Sequence, residues 1–362
     1  MKNTTMMRKM GAAALALTLA VGLTACSGSG TGTTSSASST ASTSQTGGET
    51  YKVGIVKFMD HASLDQIESS LQESLDALGA EKQVTFDYAD YTYNGQGDAS
   101  TLTQIAAQLI SDEVDVIVPI ATPAAQVMLA ALEDEEIPLV FSAVSDPITD
   151  GMVQSMEAPG VNVTGTSDAL NTEMIMNLML AVNPEIKSVG ILYSNSESSS
   201  TKPVQEAEAF LTEKGIQVVK KSGTTTDEVN SAVDALIDAK VDAIFTPTDN
   251  TVMQAELAIY EKLQEAGIPH YAGADSFALN GAFCGYGVNY VQLGQETAEM
   301  VSEVLVDGAD PAVTPVRIMT GETATVNTET CEAIGLNLDD VKAAFSGLGI
   351  EVVETTTAES FS

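Results

Sequence analysis

The chain has 362 residues, 44% of them hydrophobic, and carries 15 Lys and Arg against 50 Asp and Glu, a formal charge of −35. Such a length allows two to three domains with a sizeable core, while the charge argues against nucleic acid, polyanionic ligands and anionic membrane surfaces, all of which require a basic face. Three Cys are too few for a disulfide-stapled fold, and two His too few for most His-based metal sites.

Lys2, Arg8 and Lys9 form a positive start, and Arg317 is the only arginine beyond them. Residues 11–25 are an apolar stretch of 15, shorter than the roughly 20 needed for a permanent membrane helix. The stretch ends in Leu23-Thr24-Ala25-Cys26. This resembles the bacterial lipobox, in which cleavage precedes a Cys that then receives fatty-acyl chains of the palmitate type. The expectation is a signal peptide over 1–25 and a lipidated Cys26. Residues 27–48 consist of Ser, Thr, Gly, Ala and one Gln. A segment of this kind buries nothing, stays flexible and reaches roughly 25 Å, so residues 26–50 read as a lipidated tether. More than one acyl chain gives stable anchoring.

From Tyr51 onward strands and helices alternate. Residues 52–58 form a β-branched run, and Leu64, Ile67, Leu71, Leu75 and Leu78 follow at helical spacing, with the helix predicted to end near Gly79. Strands are predicted at 84–88, 114–120 and 137–141, with a helix over 102–110 and another opening at Thr122-Pro123. The order then restarts. Strands are predicted at 188–193, 217–220, 241–246 and 270–273, with helices at 203–214, 228–239 and 252–266. Apolar strands separated by helices indicate parallel sheets covered on both faces.

The two halves echo each other. Lys52-Val53-Gly54-Ile55-Val56 resembles Ser188-Val189-Gly190-Ile191-Leu192, Asp115-Val116-Ile117 resembles Asp242-Ala243-Ile244, and Ile137-Pro138 recurs as Ile268-Pro269. Two related lobes are expected, at 51–167 and 168–290, with a hinge or crossover near residues 164–168. Residues 291–351 would supply a crossover helix and terminal elements, and 352–362 a frayed tail. The Gly-rich run at 281–288 reads as room for a further crossing strand. Met174, Met176 and Met179 read as core filling. Cys284 and Cys331 either pair or stay as buried thiols, the second reading being preferred.

In open α/β sheets, ligands bind beyond the C-terminal ends of the strands. There the sequence places Phe58 and His61, Thr122, Ser145 and Asp146, Tyr193 and Asn195, Asp249 and Asn250, and Asp275. Hydroxyls and free N–H groups at helix starts hold a carboxylate without any Arg. Carboxylates such as Asp249 and Asp275 hold an ammonium, so together they suit a zwitterion such as an amino acid. The same residue types are also ordinary N-caps. Phe58 and Tyr193 stand where they could stack on a planar ligand. His61 is read as a hydrogen-bonding or capping residue in preference to a general base, and His270 as structural. The phosphate-binding G-x-x-x-x-G-K-[ST] loop, the G-x-S-x-G elbow, H-E-x-x-H and Cys pairs at zinc spacing do not occur, and no G-x-G-x-x-G follows the first strand.

A lipobox, a Ser/Thr-rich tether and duplicated α/β lobes resemble a solute-binding lipoprotein of an ABC importer. The similarity is strongest to the family of tryptophan/tyrosine-type binding proteins. It is carried by Val53-Gly54-Ile55-Val56, Ile120-Ala121-Thr122-Pro123-Ala124-Ala125-Gln126, residues 137–147, Asn162-Val163-Thr164-Gly165-Thr166-Ser167-Asp168 and Pro247-Thr248-Asp249-Asn250-Thr251. The resemblance implies an α/β periplasmic-binding-protein type I fold, with two Rossmann-like lobes of parallel strands closing on a small molecule. It also implies no cofactor, no catalysis, and ABC permease and ATPase subunits as partners. The protein would sit on the outer face of the cytoplasmic membrane and bind an aromatic amino acid. Thr122, Ser145, Asp146, Asn195, Asp249 and Asp275 would be its contacts. The alternatives are the same fold binding a nucleoside, sugar or peptide, a sensor or adhesion protein, or a lipoprotein hydrolase using His61.

Overall fold

The computed structural model describes residues 48–321 and 323–360; the expected signal segment, Cys26 and most of the expected tether lie outside the described residues. In chain order the first part contains β1 (Thr50–Lys57), α1 (Ala62–Lys82), β2 (Thr85–Asp87), β3 (Thr92–Asn94), α2 (Ala99–Ser111), β4 (Val116–Ile120), α3 (Thr122–Ala131), β5 (Leu139–Phe141) and β6 (Val163–Ser167). The second contains α4 (Thr172–Val182), β7 (Ser188–Tyr193), α5 (Thr201–Glu213), β8 (Gln217–Ser222), α6 (Thr226–Asp238), β9 (Ala243–Thr246), α7 (Asn250–Ala266), β10 (His270–Ala272), α8 (Asp275–Leu279) and β11 (Cys284–Gly287). Then follow α9 (Tyr290–Leu305), β12 (Arg317–Ile318), β13 (Thr323–Asn327), α10 (Thr328–Ala333), α11 (Leu338–Ser346) and β14 (Glu351–Thr355).

These strands form two α/β lobes within one compact unit. The first sheet runs β12-β6-β5-β4-β1-β2, with β3 also on β1; the second runs β14-β13-β11-β10-β9-β7-β8. All the pairings are parallel except β11 with β13. The core strands of the two sheets therefore follow one order, β2-β1-β4-β5-β6 and β8-β7-β9-β10-β11. The sequence echo has a physical counterpart. Asp115 accepts from the Lys52 N–H at 2.7 Å at the foot of β1, and Asp242 accepts from the Lys187 and Ser188 N–H groups at 2.9 Å at the foot of β7. Gly54 and Gly190 sit at matching points, where a Cβ would meet Leu109 at 3.0 Å and Leu236 at 2.9 Å. In each lobe a leucine of the covering helix presses on the second strand from the edge.

The chain changes lobe between β6 and α4, between β11 and α9, and between β12 and β13. Helix α9 packs along α1 of the first lobe. Gly294 permits this approach, since a Cβ there would lie 2.1 Å from Ser70 Oγ and 2.6 Å from the Ile67 carbonyl. Arg317 on β12 is clasped by Glu296, Glu299 and Glu303 of α9, at 2.6 to 3.2 Å. The second lobe is filled by Ile175, Met176 and Met179, and by an edge-to-face pair of Tyr271 and Phe283 with ring centres 5.2 Å apart. Met174 packs against the same core. Cys284 and Cys331 are free and buried, and desolvation raises both thiol pKa values.

Three expectations are corrected. Helix α1 runs past Gly79 to Lys82, because Gln83 adopts the left-handed conformation (φ 60°) that ends it; Gly79 instead leaves room for the returning chain, since a Cβ there would lie 3.1 Å from the Val84 carbonyl. Strands β3, β6 and β13 are additions, β6 standing where a hinge is expected at 164–168. The end of the chain, expected to fray from residue 352, forms β14 beside β13, and beyond it the Ala358 N–H donates to the Leu279 carbonyl at 2.8 Å. Main-chain pairing with β13 holds this segment, with Val352 packed on the second core.

Candidate functional site

The C-terminal ends of the strands of both sheets face a cleft between the lobes, the place where open α/β sheets bind ligands. The first lobe contributes His61, Ser63, Leu64, Ala121, Thr122, Ala143, Ser145 and Asp168; the second contributes Ser199, Thr248, Asp249, Asn250, Met253, Ala274 and Phe277; Tyr290 comes from the start of α9. Ala121 (φ 80°) and Ala143 (φ 56°) hold strained left-handed conformations at the ends of β4 and β5. Strain of this kind is retained where surrounding structure enforces a binding geometry. Ala121 also precedes α3, whose Pro123 lies in the first turn. That turn points backbone N–H groups without intrahelical partners toward the cleft side of the sheet.

Asp168 is a buried carboxylate that lines the cleft. It is 6% exposed at the end of β6. Ser145 Oγ donates to its Oδ1 at 2.9 Å, and Tyr290 OH donates to its Oδ2 at 3.4 Å. Burial raises its pKa. Asp275 lies behind it, close enough to act on the Tyr290 hydroxyl. Its Oδ1 is buried without a partner, and burial pushes its pKa up to about 6. Among the described residues no Lys or Arg lines the cleft.

Asp249 behaves differently. It caps α7 by accepting from Val252 N at 3.0 Å, and its Oδ2 accepts from Ser194 N and Ser200 Oγ, both at 2.6 Å. Its oxygens thus tie three segments of the second lobe together. Glu197 does the same beside it, accepting from Asn250 N, Asn250 Nδ2, Thr251 N and Thr251 Oγ1 at 2.6 to 3.1 Å. Burial, with the Asp249 charge added, raises the Glu197 pKa well above the usual carboxylate range.

Direct bonds bridge the two lobes. His61 Nε2 and Asn250 Oδ1 are 2.9 Å apart, Gln126 Nε2 donates to Ser198 Oγ at 2.9 Å, Lys202 pairs with Asp146 at 3.1 Å, and Ser63 bonds Ser276 through their hydroxyls. The arrangement is closed.

Of the residues expected from sequence, Thr122, Ser145 and Asp249 line the cleft. Asp275 stands one step behind it, and Asp146 bridges the lobes at its rim. Three are placed elsewhere. The Phe58 N–H bonds the Ile120 carbonyl at 3.3 Å and its ring enters the first core, 8% exposed. Tyr193 ends β7 and packs on the second core. Asn195 faces an outer groove with Lys221 and Thr224, because Asp249 captures the preceding Ser194 N–H and turns the loop outward. The aromatic lining is supplied instead by Phe277 and Tyr290. His61 precedes α1, but its side chain makes no capping bond there and reaches across the cleft. His270 is buried between Glu256, at 3.1 Å, and Thr246, at 2.8 Å.

Residues 52–344 match the family model described as ABC transporter substrate binding protein. The tyrosine-binding protein of Clostridioides difficile (strain R20291) is 31% identical over 295 residues, 80% of this chain and 83% of that protein. The crystal structure of an ABC domain in complex with L-Trp, from Streptococcus pneumonia, superposes with a TM-score of 0.75 at 31% identity, covering 84% of this chain and all (100%) of that one. A ligand-free, open substrate-binding protein from Clostridium difficile, also 31% identical and with the same coverage, superposes with a TM-score of 0.63. At equal identity the better match is to the complexed protein, in keeping with the bonds that bridge the lobes here. Among the described residues no helix is long and apolar enough to cross a membrane.

Proposed function

Because this chain belongs to the family of ABC transporter substrate-binding proteins, we propose that it is an exported protein, lipid-anchored through Cys26 on the outer face of the bacterial cytoplasmic membrane. It captures a zwitterionic aromatic amino acid, tryptophan or tyrosine, between its closing lobes and hands it to an ABC permease driven by an ATPase. The observation that carries the ligand class is Asp168, a buried carboxylate in a cleft that no cationic side chain among the described residues lines. An ammonium supplies the missing charge. Thr122, Ser145 and Ser199 offer hydroxyls to a carboxylate, and the Ser199 hydroxyl has no partner in the protein. Leu64, Met253 and Phe277 form an apolar wall for a ring. Relatives that bind tyrosine and L-Trp support the same class. The lobes' closure follows from a ligand that touches both and so binds the closed state better.

A thermal-shift panel of the twenty amino acids, nucleosides and sugars, on residues 49–362 unfolded and refolded to strip bound ligand, tests this. A ligand at 100 times its dissociation constant adds about 2.7 kcal/mol. The shift is expected with Trp or Tyr; a shift with a nucleoside or sugar alone would overturn the ligand and leave the fold.

A further inference from the structure

We infer that His61 Nδ1 is a hydrogen-bond acceptor that reads an N–H or O–H on the ligand's side chain, so that the cleft discriminates against rings that lack one. This rests on the amino-acid reading above and deepens it.

The inference follows from a fixed chain of donors and acceptors. Glu197 Oε2 accepts from Asn250 N at 3.1 Å and from Asn250 Nδ2 at 2.6 Å. The Asn250 amide nitrogen is therefore committed to Glu197, and its oxygen faces His61 Nε2 at 2.9 Å. An amide oxygen accepts and never donates. His61 Nε2 must then carry the proton. Desolvation, the largest influence on it, lowers the imidazole pKa to about 4, so the ring is neutral at pH 7. A neutral ring protonated at Nε2 presents a bare lone pair at Nδ1. That atom is buried and has no partner in the protein. An unmet acceptor costs the closed state until a ligand donor meets it.

The donor belongs to the side-chain end of the ligand. Asp168, Ser145 and Tyr290 form one cluster, linked to Thr248 through Ser145 Oγ at 3.4 Å. His61 is bonded instead to Asn250 and shares the cleft with a second cluster, the apolar Leu64, Met253 and Phe277. An ammonium occupied with Asp168 leaves the second cluster to the ring. Sites that hydrogen-bond a substrate group reject analogues lacking it far more strongly than apolar pockets reject an extra methyl.

The test has two parts, both run first on the wild-type protein. Nitrogen NMR of the ligand-free protein should show His61 as the Nε2–H tautomer; an Nδ1–H tautomer overturns the inference. Calorimetry should then show L-Tyr or L-Trp binding at least about tenfold tighter than L-Phe, O-methyl-L-tyrosine or 1-methyl-L-tryptophan. In His61→Phe that preference should vanish. In Asn250→Ala, which frees the tautomer, it should shrink although His61 is intact. Equal binding of Tyr, Trp and Phe would overturn this role and leave the amino-acid reading standing. Binding of none of the five would instead defeat the amino-acid reading.

Discussion

Ser145 Oγ donates to Asp168 Oδ1 across 2.9 Å, joining the loop after β5 to the end of β6 on the floor of the cleft. The bond orients a carboxylate whose burial already raises its pKa. The ligand's ammonium is expected to meet it there.

Asp168→Asn keeps the shape and removes the charge. It should weaken binding of a zwitterionic amino acid by about tenfold to a hundredfold, the loss expected of a charge-assisted bond worth about 1.5–3 kcal/mol. Calorimetry checks it, and the melting temperature of the ligand-free variant should stay close to wild type.

Asp249→Ala should act first on stability. Asp249 holds Ser194 N, Ser200 Oγ and Val252 N, and their loss leaves a buried N–H unsatisfied and a helix uncapped. A cost of about 2–4 kcal/mol is expected in denaturant melts. Ligand affinity should fall as a consequence of the loosened second lobe. An unchanged melt with weakened binding would instead make Asp249 a direct contact.

Glu197 titrates above its ordinary value of 4.5 because it is desolvated and lies beside the Asp249 charge. The folded state thus holds a proton that the unfolded state has released. This group's contribution to stability is greatest at low pH and declines as pH rises from 4.5 through the raised folded value. Carbon NMR should show the Glu197 carboxyl titrating high, and its midpoint should fall in Asp249→Asn. A midpoint near 4.5 in the wild type would remove the coupling.

Cys26→Ser should release the protein from the membrane fraction without altering ligand affinity, measured by fractionation and by palmitate labelling. Retention of the variant on the membrane would show another means of attachment.

The sequence made the fold legible through two repeated signals, the strand pairs around Gly54 and Gly190 and the carboxylates Asp115 and Asp242. Rules about strand ends found Thr122, Ser145 and Asp249, because polar residues after apolar strands are visible as such. They missed Asp168 for a specific reason. The sequence reading places a hinge or crossover at 164–168, yet Val163–Ser167 is strand β6, so the rule applied to Asp168 names it. Tyr290 escaped because it starts a helix that crosses back to the first lobe. Phe58 and Tyr193 failed because position after a strand does not say whether a ring turns up into a cleft or down into a core. The role of His61 depends on Asn250, distant in the chain, and no spacing encodes that.

The central claim is that both charged ends of an amino acid are held between the lobes. Calorimetric titration of ligand-stripped protein with L-Trp and L-Tyr, alongside their N-acetyl and methyl-ester derivatives, tests it directly. The account predicts one-to-one binding of a free amino acid and weak or absent binding once either charge is masked. Equal binding of the masked derivatives, or binding only of an uncharged solute, would contradict it.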